Sequence, residues 1–493
     1  MSPLKVLLVY PKSPDTFWSF RHVMPLLGKK AAFPPLGLLT VAAMLPASWS
    51  LRVVDMNVRD LTDADLSWAG YVMISAMIIH RESVHMVADR CRSAGKPLVA
   101  GGPLFTTASA EFPGIRHFVL GEAEHIMAEL TADMESGHVK AAYHCSNRPA
   151  LALCPIPRWD LINLNDYVTM SVQFSRGCPF NCEFCDIIIM NGRVPRTKDA
   201  GQLIAELESL RRRGWKDSVF IVDDNFIGNK NRSKELLRAI IEWRARTGAR
   251  MTFLTEASVN LADDAELCRL MAQAGFQKVF LGLETPSPAS LAECHKIQNT
   301  GKNLVAAVKT IQRAGMEVLG GFIVGFDSDT KDIFRQQFRF VQRSGVVVAM
   351  VGLLNALPGT QLHQRLLREG RMEGGTSGNN TRAELNFQTK LDRTFLVTGY
   401  RRLMRRLYEP THYYARIDTF LRAFRPRSPG GMPSRAELLA FVRGIWLLGF
   451  RERGRVLYWR LFWRNLLFRP SHFPRAMELA VMGHHFRKVA EDL

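Results

Sequence analysis

Three cysteines lie within eight consecutive residues of this sequence. Cys178, Cys182 and Cys185 occur in the segment SRGCPFNCEFCDI with the spacing Cys-x3-Cys-x2-Cys, and the other five of the eight cysteines are scattered singly. Thiolates are the usual protein ligands of iron–sulfur clusters, and three thiolates leave one iron of a four-iron cluster without a protein ligand. Because that iron is open to a small molecule, the spacing predicts a [4Fe–4S] cluster that takes part in chemistry.

A zinc site and an ordinary electron-transfer cluster are the alternatives for these cysteines. A closed structural zinc site needs four ligands, commonly in paired Cys-x2-Cys groups. No fourth Cys or His lies near the three in the sequence. The pattern therefore favours the open cluster over both alternatives.

The cysteines follow the first of six predicted strands, which alternate with helices between residues 167 and 365. The strand candidates are YVTMSVQFSRG, DSVFIVDD, MTFLTEA, KVFLGLE, VLGGFIVGF and VVVAMVGLL. This alternation predicts a partial (β/α)6 barrel of the TIM type, and barrel active sites lie at the carboxyl ends of the strands. The cluster motif is thus expected at the end of the barrel that carries chemistry.

Three further regions flank the predicted barrel. Residues 1–145 alternate five apolar runs with helical segments, which predicts a Rossmann-like parallel α/β sheet. The proline-punctuated stretch 146–166 is interpreted as a linker. Residues 366–493 lack strand patterning and are rich in arginine and aromatic residues, which predicts a basic helical domain.

The cysteine spacing, at this position in a barrel, resembles that of the radical S-adenosylmethionine (SAM) superfamily. The resemblance implies that the open iron binds SAM and that one electron from the cluster cleaves SAM to a 5′-deoxyadenosyl radical. It also implies further cofactor-binding residues at the ends of the barrel strands. These are Phe184 before the third cysteine, Asp223, Asp224 and Asn225 near the SAM amino group, Glu256 and Glu284 as polar SAM contacts, and Gly325 close to adenine.

The N-terminal region resembles the cobalamin-binding domain of the cobalamin-dependent radical SAM subgroup. The matching features are Ser75 of Ser75-Ala76-Met77, the pair Gly101-Gly102, the pair Gly121-Glu122 and the stretch PPLGLL. Small residues at strand ends let a corrin approach the backbone, and the resemblance implies that these residues bind cobalamin. The Asp-x-His-x-x-Gly motif is absent, so no histidine from that motif is expected on cobalt; a flavodoxin-like scaffold without a cofactor is the alternative.

The net charge of +19 is concentrated towards the C-terminus, where residues 401–493 hold 19 Lys or Arg against 7 Asp or Glu. Within 436–468, apolar and aromatic residues at helical spacing are flanked by arginines, which is typical of a helix lying on an anionic membrane surface. A helix packed on the barrel with solvated arginines fits equally well. Nucleic-acid binding is not indicated, because no RNA-binding module is visible. No stretch of about 20 apolar residues occurs, so a cytoplasmic protein is predicted, with peripheral contact at the inner face of the membrane.

The tail resembles that of a subset of cobalamin-dependent radical SAM proteins that includes hopanoid C2-methylases. The resemblance implies a C-methyltransferase, in which cobalamin delivers a methyl group to a substrate carbon activated by the radical. A hydrophobic small molecule such as a hopanoid-like lipid is the expected substrate, and an external electron donor the expected partner. A cyclase or rearrangement enzyme with the same cofactors is one alternative. An RNA-modifying radical SAM enzyme is another, but Cys91 and Cys145 do not supply the second cluster such enzymes carry.

Overall fold

The computed structural model describes residues 3–145, 147–426 and 435–493. The first of these ranges folds into a six-stranded parallel sheet covered by helices on both faces. Its strands are β1 (Lys5–Tyr10), β2 (Ser50–Asp55), β3 (Tyr71–Ser75), β4 (Leu98–Gly101), β5 (His117–Leu120) and β6 (Ala142–His144). Its helices are α1 (Met24–Leu27), α2 (Leu36–Met44), α3 (Asp63–Trp68), α4 (Arg81–Ser93), α5 (Pro103–Ala108) and α6 (Met127–Ser136).

The strand order of this sheet is β2-β1-β3-β4-β5-β6. The order reverses between β1 and β3, and parallel sheets bind ligands outside the carboxyl ends of their strands at such a reversal. Side chains 6 to 9 of β1 are completely buried, because helices cover both faces of a central strand. Five strands were predicted, and the structure adds a sixth, β6. With only three residues, this strand is too short to show a recognisable pattern of apolar residues in the sequence.

The second sheet contains six parallel strands in sequential order, β7-β10-β11-β12-β13-β14, with a two-stranded antiparallel pair, β8 and β9, beside it. The strands are β7 (Met170–Val172), β8 (Ser175–Arg176), β9 (Arg196–Thr197), β10 (Ser218–Ile221), β11 (Thr252–Ala257), β12 (Phe276–Glu284), β13 (Glu317–Val324) and β14 (Ala349–Leu353). The helices are α7 (Ile187–Met190), α8 (Ala200–Arg212), α9 (Lys230–Thr247), α10 (Ala265–Ala274), α11 (Pro288–Glu293), α12 (Leu304–Arg313), α13 (Ile333–Ser344) and α14 (Gln361–Arg368). The predicted partial barrel is confirmed.

The first barrel strand is shorter than predicted. The segment 167–177 was expected as one strand, but the sheet pairing ends at Val172 and Ser175 pairs instead with Thr197. The backbone N–H of Phe174 donates to the Asp223 carboxylate at 2.8 Å instead of to a neighbouring strand. The chain therefore leaves the sheet just before the first cysteine.

The C-terminal helices extend the core of the barrel. They are α15 (Arg393–Tyr408), α16 (Pro410–Ala423), α17 (Arg435–Trp446), α18 (Arg455–Phe468) and α19 (Phe473–Asp492), with a π-helical turn at Leu447–Arg451. Tyr408 donates to the carbonyl of Ala349 in β14 at 2.7 Å, and the fully buried Arg416 donates to the carbonyl of Val347. Among the helices of the described ranges, none has the length and apolar character of a membrane-spanning segment.

Candidate active site

The three cysteines lie in the loop that leaves β8, at the carboxyl end of the barrel. Cys182 is buried, and Cys178 and Cys185 are half-buried. Burial raises the pKa of the Cys178 and Cys185 thiols, and the neighbouring Cys182 sulfur raises both further. Burying three thiolates near one another is energetically unfavourable without a metal. Iron binds thiolate ligands and so offsets this unfavourable free energy.

Two aspartates at the end of β10 hold the backbone of the cysteine loop. Asp223 is almost fully buried and accepts a hydrogen bond from the hydroxyl of Ser175 at 2.6 Å. Asp224 accepts one from the backbone N–H of Gly177 at 2.8 Å. Gly177 has φ of +102°, and a Cβ there would lie 2.9 Å from the carbonyl oxygen of Gly192. Only glycine suits this approach to the first cysteine.

Asn225 completes the Asp223–Asn225 segment and contacts a cysteine directly. Its Nδ2 lies 3.9 Å from the Sγ of Cys178, and its Oδ1 accepts from the backbone N–H of Ser258 at 3.2 Å. All three residues of the segment therefore contact the cysteine loop or its neighbour. Their predicted contact with the amino group of SAM stays a prediction.

The two predicted glutamates differ in their surroundings. Glu284 ends β12 with φ of +59°, is buried, and its Oε1 lies 2.6 Å from the Nζ of Lys296. Glu256 is the second-last residue of β11 and is half-buried. Desolvation, followed by the charges of Asp224 and Asp223, raises the pKa of Glu256 to about 7. The carboxyl end of the barrel thus holds one glutamate that is paired with a lysine and one glutamate whose pKa is about 7.

Phe184 lies close to the end of β13, where Gly325 is found. The ring of Phe184 lies 6.3 Å from that of Phe326, which follows Gly325 at the end of β13. Gly325 has φ of +108°, and its backbone N–H donates to Asp329 at 2.8 Å. Glycine adopts this φ without strain, so the chain can turn at the end of β13. The predicted contact of Gly325 with adenine stays a prediction.

Glu183, between the second and third cysteines, is clamped on three sides. Its carboxylate binds Arg365 of α14 through both oxygens, at 2.6 and 3.2 Å. Its backbone N–H donates to the carbonyl of Cys294 at 3.0 Å, and its carbonyl accepts from Leu362 at 2.9 Å. Two distant segments of the barrel therefore fix the loop.

The predicted cobalamin-binding residues gather at the carboxyl ends of β3, β4 and β5. Gly102 has φ of +97°, and a Cβ there would lie 2.9 Å from Ser75 Oγ. Gly101, the last residue of β4, lies beside the backbone of Val119. Gly121 also has positive φ, +92°. These residues form one edge of the first sheet, as predicted, and their contact with cobalamin stays a prediction.

Glu122 connects that edge to the cysteine loop. Its carboxylate binds Arg176 of β8 and Arg196 of β9, each at 2.5 Å. Arg176 also binds Glu124 at 2.8 Å and precedes Cys178 by two residues. The contacts of Glu122 in this structure are thus with barrel arginines, and they bring the carboxyl ends of the two sheets together.

Three protein-family models match successive parts of the chain. They are a B12 binding domain over residues 30–131, the radical SAM superfamily over 172–341 and a domain of unknown function (DUF4070) over 360–493. The chain is also 38% identical to an uncharacterised methyltransferase of Synechocystis, covering 99% of this chain and 92% of that protein. It is 34% identical to the hopanoid C-2 methylase of Rhodopseudomonas palustris, covering 98% and 92%. The chain belongs to the cobalamin-dependent radical SAM methyltransferases.

Solved structures agree with the fold of this methyltransferase. The radical SAM methyltransferase TsrM from Kitasatospora setae, with cobalamin and a [4Fe–4S] cluster bound, superimposes with a TM-score of 0.65 at 16% identity and covers 99% of both chains. The cobalamin-dependent radical SAM enzyme OxsB, with cobalamin and SAM bound, gives a TM-score of 0.59 at 13% identity, covering 99% of this chain and 80% of that one. The cofactors of the methyltransferase are a [4Fe–4S] cluster, SAM and cobalamin, as predicted from the sequence.

The residues of the structure fit these cofactors. Cys178, Cys182 and Cys185 supply three soft sulfur ligands in one loop at the end of the barrel, the donor set that iron–sulfur clusters use. At the first sheet, the strand order reverses between β1 and β3, and the carboxyl ends of parallel strands at such a reversal are where these sheets bind large cofactors.

Five residues of the site are not predicted from the sequence. They are Arg176, Arg196, Lys296, Gln298 and Arg365. Lys296 and Gln298 lie after β12 and the short helix α11, in a connection between a barrel strand and the next long helix. Site residues of barrels are commonly found in such connections, and this was the available signal. The partners of the arginines lie 54 to 182 residues away in the sequence, and no local pattern reveals such contacts.

Glu256→Gln is expected to stabilise the cofactor-free methyltransferase at pH 8. The raised pKa of about 7 means that the folded state keeps a proton that the unfolded state loses near pH 4.5. Folding therefore becomes less favourable as pH rises from about 4.5 to 7, by roughly 2 kcal/mol after allowance for partial exposure. The substitution removes this cost, and urea unfolding at pH 5 and pH 8 measures it.

The exposed Glu242 of α9 provides the control, since Glu242→Gln is expected to change stability little at either pH. A gain from Glu256→Gln that is the same at both pH values would contradict the titration of this carboxyl group.

Proposed function

We propose that this methyltransferase adds a methyl group to an unactivated carbon of a hydrophobic, hopanoid-like lipid that it takes from a membrane surface. The 34% identity to a hopanoid C-2 methylase over almost the whole chain supports the substrate class. The observation that carries the proposal is an exposed apolar surface, bordered by arginines, on the C-terminal helices.

This surface, the interfacial face, belongs to α17, the π-helical turn and α18. One side of α18 is buried against α16 and α19 through Tyr458, Leu461 and Phe462. The other side is exposed, and so is much of α17. The large apolar residues of the interfacial face are 39 to 78% exposed: Leu438, Leu439, Val442, Trp446, Phe450, Val456, Trp463, Leu466, Leu467 and Phe468. An exposed apolar patch of this extent marks a contact with a partner or a membrane.

The charges around the interfacial face favour an anionic membrane over a protein partner. Exposed arginines accompany the apolar residues at positions 443, 451, 453, 455 and 460. The one acidic residue between 438 and 468 is Glu452, and its carboxylate is bound by His484 and Arg487. Apolar burial and pairing of arginine with lipid phosphate act together on such a surface.

The residues of the barrel would hold the cofactors for this reaction. When bound, the cluster with SAM supplies a radical that removes hydrogen from carbon, and cobalamin supplies the methyl group. Cys178, Cys182 and Cys185 would hold the cluster, and Asp223 and Asp224 would keep their loop in place. The carboxyl ends of the strands of the first sheet, at Gly101, Gly102 and Gly121, would hold cobalamin.

The product test uses the full chain, reconstituted anaerobically with iron, sulfide and cobalamin. A chemical reductant stands in for the external electron donor, and SAM with a deuterated methyl group is supplied together with a bacterial membrane-lipid extract. The expected product is a lipid that carries one labelled methyl group, identified by mass spectrometry. A rearranged lipid without label would overturn the proposal in favour of the cyclase alternative, and labelled RNA from a parallel incubation would favour the RNA-modifying one.

Trp463→Ser combined with Phe468→Ser is expected to weaken binding to vesicles of phosphatidylglycerol and phosphatidylcholine at least tenfold. These side chains are 52 and 78% exposed, so the fold is expected to tolerate the change. Each loses roughly 1.5 to 3 kcal/mol of apolar burial if it enters the bilayer. Vesicle sedimentation measures the affinity, and added salt is expected to weaken it.

Met86→Ser is the matched control, because Met86 is 53% exposed on α4 of the first sheet. It is expected to bind vesicles like the unchanged protein. If the double variant binds vesicles as tightly as the unchanged protein, or if binding does not depend on the anionic lipid, the interfacial face is not the membrane-binding surface.

A further inference from the structure

We infer that Gln298 is a positioning residue that raises the reduction potential of the cluster by donating a hydrogen bond to the sulfur of Cys182, assisted by the buried ammonium of Lys296. The inference is independent of the substrate proposed above. It rests on the segment Cys294–Asn299, which follows α11 and packs along the cysteine loop.

Gln298 is buried at 7% exposure, and its Nε2 lies 3.7 Å from the Sγ of Cys182. The other end of the amide, Oε1, is buried and contacts no hydrogen-bond donor among the described residues. A buried amide usually satisfies both of its ends. Since only the Nε2 end has a partner here, the contact with sulfur accounts for the placement of this side chain.

The backbone around Gln298 is held in register with the cysteine loop. The carbonyl of Cys294 accepts from the backbone N–H of Glu183 at 3.0 Å. Asn299 donates to the carbonyls of Gly282 and Leu283, at 3.0 and 3.1 Å, which anchors the segment on β12. The amide is thus carried on rigid structure and does not reach the sulfur from a free loop.

Lys296 adds a positive charge to the same side of the site. Its Nζ binds Glu284 and lies 5.9 Å from the centre of the Phe184 ring, between the second and third cysteines in sequence. Phe184 stands between Cys182 and Cys185 in the sequence, so the ammonium group lies beside the cysteine loop.

Reduction adds one electron to a cluster already held by three anionic sulfurs. Hydrogen bonds to those sulfurs and nearby positive charge stabilise the reduced form, and both raise the potential. Asn225 makes a similar but longer contact with Cys178, at 3.9 Å. The contact of Gln298 with sulfur is the shorter of the two, and its side chain has no other partner among the described residues. A substitution of Gln298 therefore tests the effect of the hydrogen bond more directly than one of Asn225.

The test is a redox titration of the reconstituted full chain without SAM, followed by the electron paramagnetic resonance signal of the reduced cluster. Gln298→Met keeps the volume and removes the donor. At a fixed potential, we expect the ratio of reduced to oxidised cluster to fall about tenfold. For a one-electron couple this is a shift of the reduction potential by about 59 mV to a more negative value. Lys296→Met is expected to shift the potential in the same direction.

Gln312→Leu is the control, since Gln312 is a fully buried amide that donates to the carbonyls of Ser344 and Gly345, away from the cysteines. Its potential is expected to stay unchanged. If the ratio of reduced to oxidised cluster in Gln298→Met at this fixed potential lies within twofold of the ratio in the unchanged protein, the inference is overturned. A failure of both Gln298→Met and Gln298→Glu to bind iron would also overturn it, because the side chain would then hold the site together and not tune it.

Discussion

Cys182→Ala is expected to abolish reductive cleavage of SAM. Cys182 is the most buried of the three cysteines and lies between the other two in the loop. Without it, two thiolates remain, and the cluster loses one of the ligands that hold three of its irons. We expect the reconstituted variant to carry far less than four irons per chain and to form 5′-deoxyadenosine only at background level, measured by iron analysis and chromatography.

Cys91→Ala is the matched control for this loss. Cys91 is buried at 1% exposure in α4 of the first sheet, so its removal also deletes a buried thiol but touches no cluster ligand. Full iron content and SAM cleavage are expected there. Unimpaired SAM cleavage by Cys182→Ala would refute the assignment of the cluster to these three cysteines.

The second large effect is expected for Glu122→Ala, which should lower the free energy of unfolding by about 3 kcal/mol. The Glu122 side chain is 10% exposed, and it pairs with Arg176 and Arg196, which are 15 and 18% exposed. Removing one partner of a buried ion pair leaves the other charge unpaired, and this costs more than the pair itself contributes. Arg176 keeps Glu124, so the loss falls mainly on Arg196.

Urea unfolding of the cofactor-free protein measures this loss of stability. Because Glu122 joins the two sheets, the same experiment also shows whether they still unfold together. With Glu122 removed, the N-terminal sheet and the barrel are expected to unfold in less coincident transitions. Glu129→Ala is the control, because Glu129 is 55% exposed and pairs with Lys140 on the surface. A Glu122 variant as stable as this control would show that the arginines find other partners.

The sequence predicts the residues that carry the chemistry of the site better than the contacts that hold them in place. Cys178, Asp223 and Glu284 follow strands whose apolar runs are visible in the sequence, and barrel strands direct their carboxyl ends to one side. The contacts between them needed the structure. Asp223 and Asp224 bind the backbone of the cysteine loop, and a backbone partner leaves no trace in the identity of a distant residue.

Glu122 illustrates the limit of a family resemblance. The pair Gly121-Glu122 matched a pattern associated with cobalamin, and the glycine does have the positive φ that such a position favours. The glutamate, however, is engaged by two arginines 54 and 74 residues later in the chain. Its partners depend on how two domains meet, which neither periodicity nor motif spacing encodes.

The tail shows a different kind of limit. Periodicity predicted helices with apolar and arginine-rich faces, but it left open whether the apolar residues face the barrel or the outside. Both occur: Tyr458 and Phe462 are buried in the core, whereas Trp463 and Phe468 of the same helix are exposed. Both apolar sets lie in one short helix, so only the packing of α16 and α19 separates them.

The clamp on Glu183 has a consequence for the order of events in the cell. Arg365 lies 182 residues after Glu183, and Asp327, which also binds Arg365, is held in turn by Arg371. A chain leaving the ribosome exposes its cysteines long before these arginines are made. The loop becomes fixed only after the whole barrel has been synthesised, so the apparatus that delivers iron and sulfide is expected to meet a nearly complete chain, and a truncation before residue 365 should bind its cluster weakly even with all three cysteines present.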